Sequence, residues 1–179
     1  QAPWIIKRWK SSIYNFTGLH VVGLSATLRD GNAHLVQLDR ENYNAPNLKK
    51  VLSDKSCQKI FHFARFDVAV LKKYLNIDCE PIYCTKIVSK LVRTYTDRHG
   101  LKDLCRELIG VDLSKQQQSS NWGAKELTEE QKHYAASDVL YLHQLKDLLD
   151  QELVKLNRKN IADECFSFIK TRVDLDLKG

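Results

Sequence analysis

Leu19-His20-Val21-Val22-Gly23-Leu24 and Ala33-His34-Leu35-Val36-Gln37-Leu38 are two β-rich runs, and the Asp30-Gly31-Asn32 turn signal between them suits a hairpin. The sheet therefore starts antiparallel. Downstream, helix and strand alternate. Pro46 stands where a helix can begin, and Leu48, Val51 and Leu52 share one helical face before a third β run at Lys59-Ile60-Phe61-His62-Phe63. Asp67 to Tyr74 reads as a helix with Val68, Leu71 and Leu75 inward. Pro81-Ile82-Tyr83-Cys84 reads as a short strand, with Thr85 capping the next helix.

His99 to Leu108 carries Leu101, Leu104, Cys105 and Leu108 at helical spacing, with Gly110 as its stop. Leu113 to Gly123 is too polar for a core element and predicts a loop or short turns. From Thr128, with Gln131 as capping-box partner, one long helix is expected towards Leu153, with Ala135, Val139, Leu142, Leu145 and Leu149 on one face. Arg158 to Phe168 predicts a further helix. Without repeats or linkers, the pattern describes an α/β fold: a mixed sheet flanked by helices.

At 179 residues the chain suits a single domain, and 43% hydrophobic residues can fill its core. The net charge of +6 favours an anionic partner such as nucleic acid. Five cysteines without a C-x-x-C pair argue against a disulfide framework and a zinc site, and no stretch suits a signal peptide or a membrane span. A cytoplasmic protein with reduced thiols is expected. The chain contains no methionine, so its natural N-terminus is expected to be absent or altered.

Two places suggest chemistry. Tyr134 and Asp138 lie four apart on the long predicted helix, hence on one face, beside the small Ala135 and Ala136. Alone, such a pair more readily describes a solvated surface. Asp67 stands where a strand hands over to a helix, where sites collect in α/β sheets, although a carboxylate there also simply complements the helix dipole.

Five separated stretches, in order, carry a more specific signal: Lys59-Ile60-Phe61-His62-Phe63-Ala64-Arg65-Phe66-Asp67, Tyr83-Cys84-Thr85-Lys86-Ile87, Arg93 through Lys102, Leu113 through Trp122, and Tyr134-Ala135-Ala136-Ser137-Asp138-Val139-Leu140-Tyr141-Leu142. Together they resemble the ribonuclease D-like DEDDy 3′→5′ exonucleases, in particular the compact alphaproteobacterial nano-RNase C type. The resemblance runs from about Leu19 to the C-terminus. It implies an RNase H-like mixed sheet with antiparallel first strands, and one exonuclease domain over residues 1–179 whose segment 1–18 is atypical. It also implies a metal-dependent exoribonuclease that releases nucleoside 5′-monophosphates from short single-stranded oligoribonucleotides, working as a homo-oligomer.

In such enzymes four carboxylates hold two Mg2+ or Mn2+ ions about 4 Å apart for in-line phosphoryl displacement. The resemblance makes Asp67 and Asp138 the metal ligands here and Tyr134 the phenol that orients the attacking water. His62, Arg93, Arg98, Lys115, Gln118 and Trp122 become substrate-binding candidates, with Tyr95 a second base-stacking candidate. Bland alternatives stand beside several of these. His62 suits a packed strand histidine better than a ligand, and Lys86, Lys90 and Arg93 equally suit a solvated helix face.

One motif departs from the family. Its D-x-E pair belongs on the first strand, near Ile6 to Lys10, yet Ile6-Lys7-Arg8-Trp9-Lys10 has no carboxylate and none occurs before Asp30. The only D-x-E before Asp67, Asp39-Arg40-Glu41, ends 26 residues before it, too close for the strands that separate the motifs. Either the N-terminal segment is altered relative to an active parent, or the chain is a catalytically inactive nucleic-acid-binding or structural homologue. In the structural case a Leu175-to-Gly179 tail would dock on a neighbour.

Overall fold

In the computed structural model the described residues are 4–10, 21–27, 29–39 and 41–179. They form a mixed sheet from β1 (Trp4–Lys10), β2 (Val21–Thr27), β3 (Ala33–Gln37), β4 (Lys59–Phe61) and β5 (Ile82–Cys84). The strand order is β3-β2-β1-β4-β5, with β1 at the centre. β1, β2 and β3 are antiparallel neighbours, while β4 and β5 run parallel to β1. This is the expected α/β sheet with antiparallel first strands. Leu19 and His20 of the expected first run lie outside the described residues, and its strand extends to Thr27.

The hairpin turn follows from its residues. Gly31 adopts φ +80°, the Asn32 amide donates to Asp30 Oδ1 at 3.0 Å, and the Thr27 hydroxyl donates to the Asn32 carbonyl.

Helices cover both faces: α1 (Pro46–Ser53), α2 (Ala64–Leu75), α3 (Thr85–Val92), α4 (Leu101–Leu104), α5 (Glu129–Leu140), α6 (Leu142–Lys155) and α7 (Lys159–Lys178). Strand alternation divides the core in two. Phe61 joins Leu24, Ala26, Val68 and Leu71 on one face, while its neighbour Ile60 joins Val139, Leu142 and Leu145 on the other. Each such buried side chain contributes roughly 1.5–3 kcal/mol.

Lys59 is fully buried between these elements. Its ammonium donates to the carbonyls of Asp54 (2.7 Å), Cys57 (2.8 Å) and Glu80 (2.8 Å), which ties the loop after α1 to the entry of β5. Burial lowers its pKa.

Four local expectations are corrected. β4 stops at Phe61 and α2 begins at Ala64, because Phe63 turns into the left-handed region at φ 67° and breaks the extended run. The N-cap of α3 is Cys84, not Thr85, whose hydroxyl is spent on the Phe61 carbonyl at 3.3 Å. The long helix from Thr128 is two helices meeting at Tyr141. α5 crosses β1, β2 and β3, whereas α6 packs on α3, and one straight rod of about 38 Å could not do both. The last helix runs ten residues past Phe168. Leu175 therefore sits in a helix, not in a loose tail, and the Arg65–Asp176 (2.5 Å) and Lys72–Asp174 (2.6 Å) ion pairs tie that end to α2.

Gly110, at φ +68°, does end its segment as expected. The turn before it is a π-helix over Cys105–Ile109, for which the sequence holds no visible signal.

Candidate active site

Asp67 lies in the first turn of α2, only 4% exposed, where the helix N-terminus favours negative charge. A carboxylate so deeply placed on a short strand-to-helix connection is costly unless charge or hydrogen bonding answers it. Just before it, at the end of β4, the Thr85 hydroxyl that donates to the Phe61 carbonyl lies within hydrogen-bond distance of His62 Nδ1, at 2.9 Å. This fixes the buried His62 ring between β4 and α3.

Tyr134 and Asp138 stand one turn apart on α5, both half-buried. Burial, and then the nearby Asp138 charge, push the Tyr134 phenol up to about 12. At neutral pH the phenol is protonated and can donate a hydrogen bond. The Asp138 charge also reaches Cys105 on the π turn, whose thiol is pushed up to about 11, chiefly by burial.

Trp122 packs against Tyr134, with ring centroids 5.8 Å apart, and its indole N–H donates to the Gln117 carbonyl at 3.1 Å. The buried Gln131 completes this join. It closes the capping box with Thr128, while Nε2 donates to Ser120 Oγ (2.7 Å) and to the Asn121 carbonyl (3.1 Å). The sequence shows the cap but not this second use, because nothing local signals that the 113–123 segment folds back onto α5.

Asp67 and the Tyr134–Asp138 pair are related through β1. β1 runs parallel beside β4, with Ile5 paired to Ile60, so their C-terminal ends share one edge of the sheet, and α5 packs across β1. The strand on which the resemblance leads one to expect the first-motif pair is present and central. That strand reads Trp4-Ile5-Ile6-Lys7-Arg8-Trp9-Lys10, three cations and no carboxylate. Among the described residues no group of three or more His, Cys, Asp or Glu could hold a metal ion. Asp67 and Asp138 alone do not fit a two-metal centre. Asp39 and Glu41 are exposed in the loop that follows β3, an edge strand, and Asp39 Oδ1 accepts from the Glu41 amide at 2.9 Å.

The substrate candidates divide by burial. Arg98, Lys115 and Gln118 are exposed, and Tyr95 is 76% exposed. Trp122 is buried against Tyr134, which leaves Tyr95 the more available surface for a base. Arg93 is buried and turned inward. Its guanidinium donates to Ser89 Oγ (3.1 Å) and to the Arg98 carbonyl (2.8 Å) and pairs with Glu107. It pins the 93–99 turn and is not presented to a phosphate. His99, whose Nδ1 lies 2.8 Å from Ser89 Oγ, belongs to the same network, and burial lowers its pKa.

The model of a 3′-5′ exonuclease domain matches residues 11–154 of this chain. The chain belongs to that family. The match starts just past β1, so the strand without carboxylates lies outside it. Within the 3′-5′ exonucleases the chain is ribonuclease D-like and similar to NrnC, as its motifs led us to expect. Brucella melitensis NrnC with bound Mg2+ is 45% identical over 99% of this chain and 86% of that one, with a TM-score of 0.93. The same protein bound to pGG gives 46% and 0.94 over the same shares. Ribonuclease D of Jannaschia sp. is 26% identical over 135 residues, 75% of this chain and 35% of that protein. This 3′-5′ exonuclease chain thus spans about a third of that curated relative. Escherichia coli RNase D, 22% identical with a TM-score of 0.82, shares the fold. No helix among the described residues is long and apolar enough to cross a membrane.

Proposed function

We propose that the chain is a single nuclease domain of the DEDDy subtype, built to trim short single-stranded oligoribonucleotides from the 3′ end to nucleoside 5′-monophosphates in a reduced, cytoplasmic setting. The observation that carries this is the joint retention of Asp67 on α2, which follows β4 beside β1, and of Tyr134 with Asp138 on α5, which packs across β1. Similarity across nearly the whole chain to a NrnC structure bound to pGG supports the substrate class. The five free cysteines agree with a reducing compartment.

In this arrangement the protonated Tyr134 phenol orients water. Trp122 and Gln131 hold Tyr134 and its loop in register, and the exposed Arg98 and Lys115 attract the phosphate backbone. The metals of the family are Mg2+ or Mn2+, and this chain supplies only half of the carboxylate set. We therefore derive no hydrolytic step from its present residues.

That deficit favours a second form of the same reading: the chain as it stands binds oligoribonucleotides and does not cut them. The test is 5′-labelled short RNA incubated with the chain in Mg2+ or Mn2+, with and without chelator, beside a binding titration at low salt. Binding with negligible trimming is expected. Absence of binding at low salt overturns the nucleic-acid reading and leaves a structural subunit.

A further inference from the structure

Phe63 holds a backbone conformation that bulky side chains avoid. With φ 67° and ψ 52° it lies in the left-handed region, which glycine enters freely and a β-carbon makes unfavourable. The turn itself is needed, because it carries β4 into α2, but a glycine would make it without strain. Packing does not account for the phenylalanine either: its ring is 41% exposed, whereas Phe61, the last residue of β4, is fully buried. A strained position that also presents an aromatic ring to solvent is of the kind that gathers at binding sites.

The surroundings of the ring indicate what it receives. Lys86 Nζ lies 3.8 Å from the Phe63 ring centroid, and Phe66 meets the ring at 82° with centroids 4.8 Å apart. Among the described residues Lys86 has no carboxylate partner, so its charge is available to an anion. Both residues stand where the parallel strands β4 and β5 hand over to helices. Phe63 caps α2, four residues before Asp67, and Lys86 lies in the first turn of α3, next to the Thr85 hydroxyl that reaches His62. A π face and an ammonium side by side match the two parts of a nucleotide, its base and its phosphate. A base that stacks on the ring displaces the ammonium from that face, and the flexible lysine stem lets it follow the phosphate instead.

We infer that Phe63 is a base-stacking platform and Lys86 its phosphate partner, and that together they hold one nucleotide of a short RNA beside Asp67. The inference rests on the oligoribonucleotide reading above and adds to it a contact with the base, which attraction of the backbone alone lacks. Neither contact needs a bound metal, so both persist in a chain with half of the carboxylate set. Stacking tolerates sequence, because every base has a π face, and its strength grows with the size of the base, so purines are favoured modestly.

The experiment is a binding titration of 5′-labelled short RNA, and of the same sugar-phosphate backbone without bases, at low salt in chelator. The unaltered chain should bind the RNA about tenfold more tightly than the abasic strand. Phe63→Gly should weaken RNA binding by about tenfold and leave abasic binding unchanged, while Phe63→Trp keeps the preference for bases. The thermal midpoint of Phe63→Gly should not fall, because glycine relieves the left-handed strain. Lys86→Gln should reduce the salt slope by about one for both strands. Equal affinity of the unaltered chain for RNA and abasic strand overturns the platform and leaves the oligoribonucleotide reading standing. So does a Phe63→Gly protein that melts lower and loses both strands alike, which makes the ring structural. An unchanged salt slope in Lys86→Gln overturns the phosphate contact. Absence of RNA binding by the unaltered chain overturns this inference and the oligoribonucleotide reading together.

Discussion

The rings of Trp122 and Tyr134 lie 5.8 Å apart at 42°, and this contact joins the irregular 113–127 segment to the helix that carries Asp138. Tyr134 is thereby held from two sides: by its own helix, which Gln131 starts, and by an indole fixed to the Gln117 carbonyl. A residue whose type suggested base stacking acts instead as the support of the phenol.

Trp122→Ala should therefore lower the unfolding free energy by about 3 kcal/mol or more, the usual cost of emptying a buried aromatic site. Trp122→Phe should cost less. Urea denaturation measures both, and a near-neutral Trp122→Ala would mean that the indole contributes little packing.

Tyr134 gives a pH dependence of definite sign. Its folded pKa, about 12, lies above the ordinary phenol value near 10, so the folded state holds the proton more tightly. The stability this provides is complete below pH ~10 and is lost as pH rises towards ~12. Tyr134→Phe should flatten part of the alkaline fall in stability over that window. The fall due to Tyr83, also raised by burial beside Asp150, should remain. Identical alkaline profiles for the two proteins would count against a raised Tyr134.

Oligonucleotide binding should separate Arg93 from the exposed cations. Arg98→Ala and Lys115→Ala should each weaken binding and reduce the salt slope by about one, as lost phosphate contacts do. Arg93→Ala should instead lower the thermal midpoint, because it removes the donor that Ser89, Glu107 and the Arg98 carbonyl share. Melting curves and filter binding at two salt concentrations distinguish the two effects. An Arg93→Ala protein with unchanged melting and a reduced salt slope would reinstate Arg93 as a phosphate ligand.

The strands β2 to β5 were legible in the sequence because they are bounded by strong punctuation, Asp30-Gly31-Asn32, Pro46 and Pro81, whereas β1 and the order β3-β2-β1-β4-β5 were not. Asp67, Tyr134 and Asp138 were legible as a set only through the motifs around them, since each alone fits an ordinary surface or helix end. What the sequence hid depends on tertiary contact. The Phe63 turn, the break at Tyr141, the π turn at Cys105 and the inward course of Arg93 are chosen by packing between elements, and local propensity does not report them.

The position of the missing carboxylates can be read from the strand register. Lys7 pairs with Ser25 and Trp9 with Gly23, the β2 row that alternates with Leu24 and Ala26, which belong to the core against α2. Positions 7 and 9 thus share the register row of Ser25 and Gly23 on a strand that α5 packs across, and they are spaced as D-x-E. Lys7→Asp combined with Trp9→Glu should create Mg2+- or Mn2+-dependent release of mononucleotides from the 3′ end of short RNA, and Asp138→Asn should abolish it. Without the two changes the chain should bind at most one metal ion weakly and trim negligibly, because half of the metal-binding charge is absent. Calorimetric metal titration and the labelled-RNA assay, run on both proteins with and without chelator, read the two quantities separately. Robust chelator-sensitive trimming by the unrestored chain would sink the deficit argument and bring Asp39 and Glu41 back as ligands, despite their place in an exposed loop beside an edge strand.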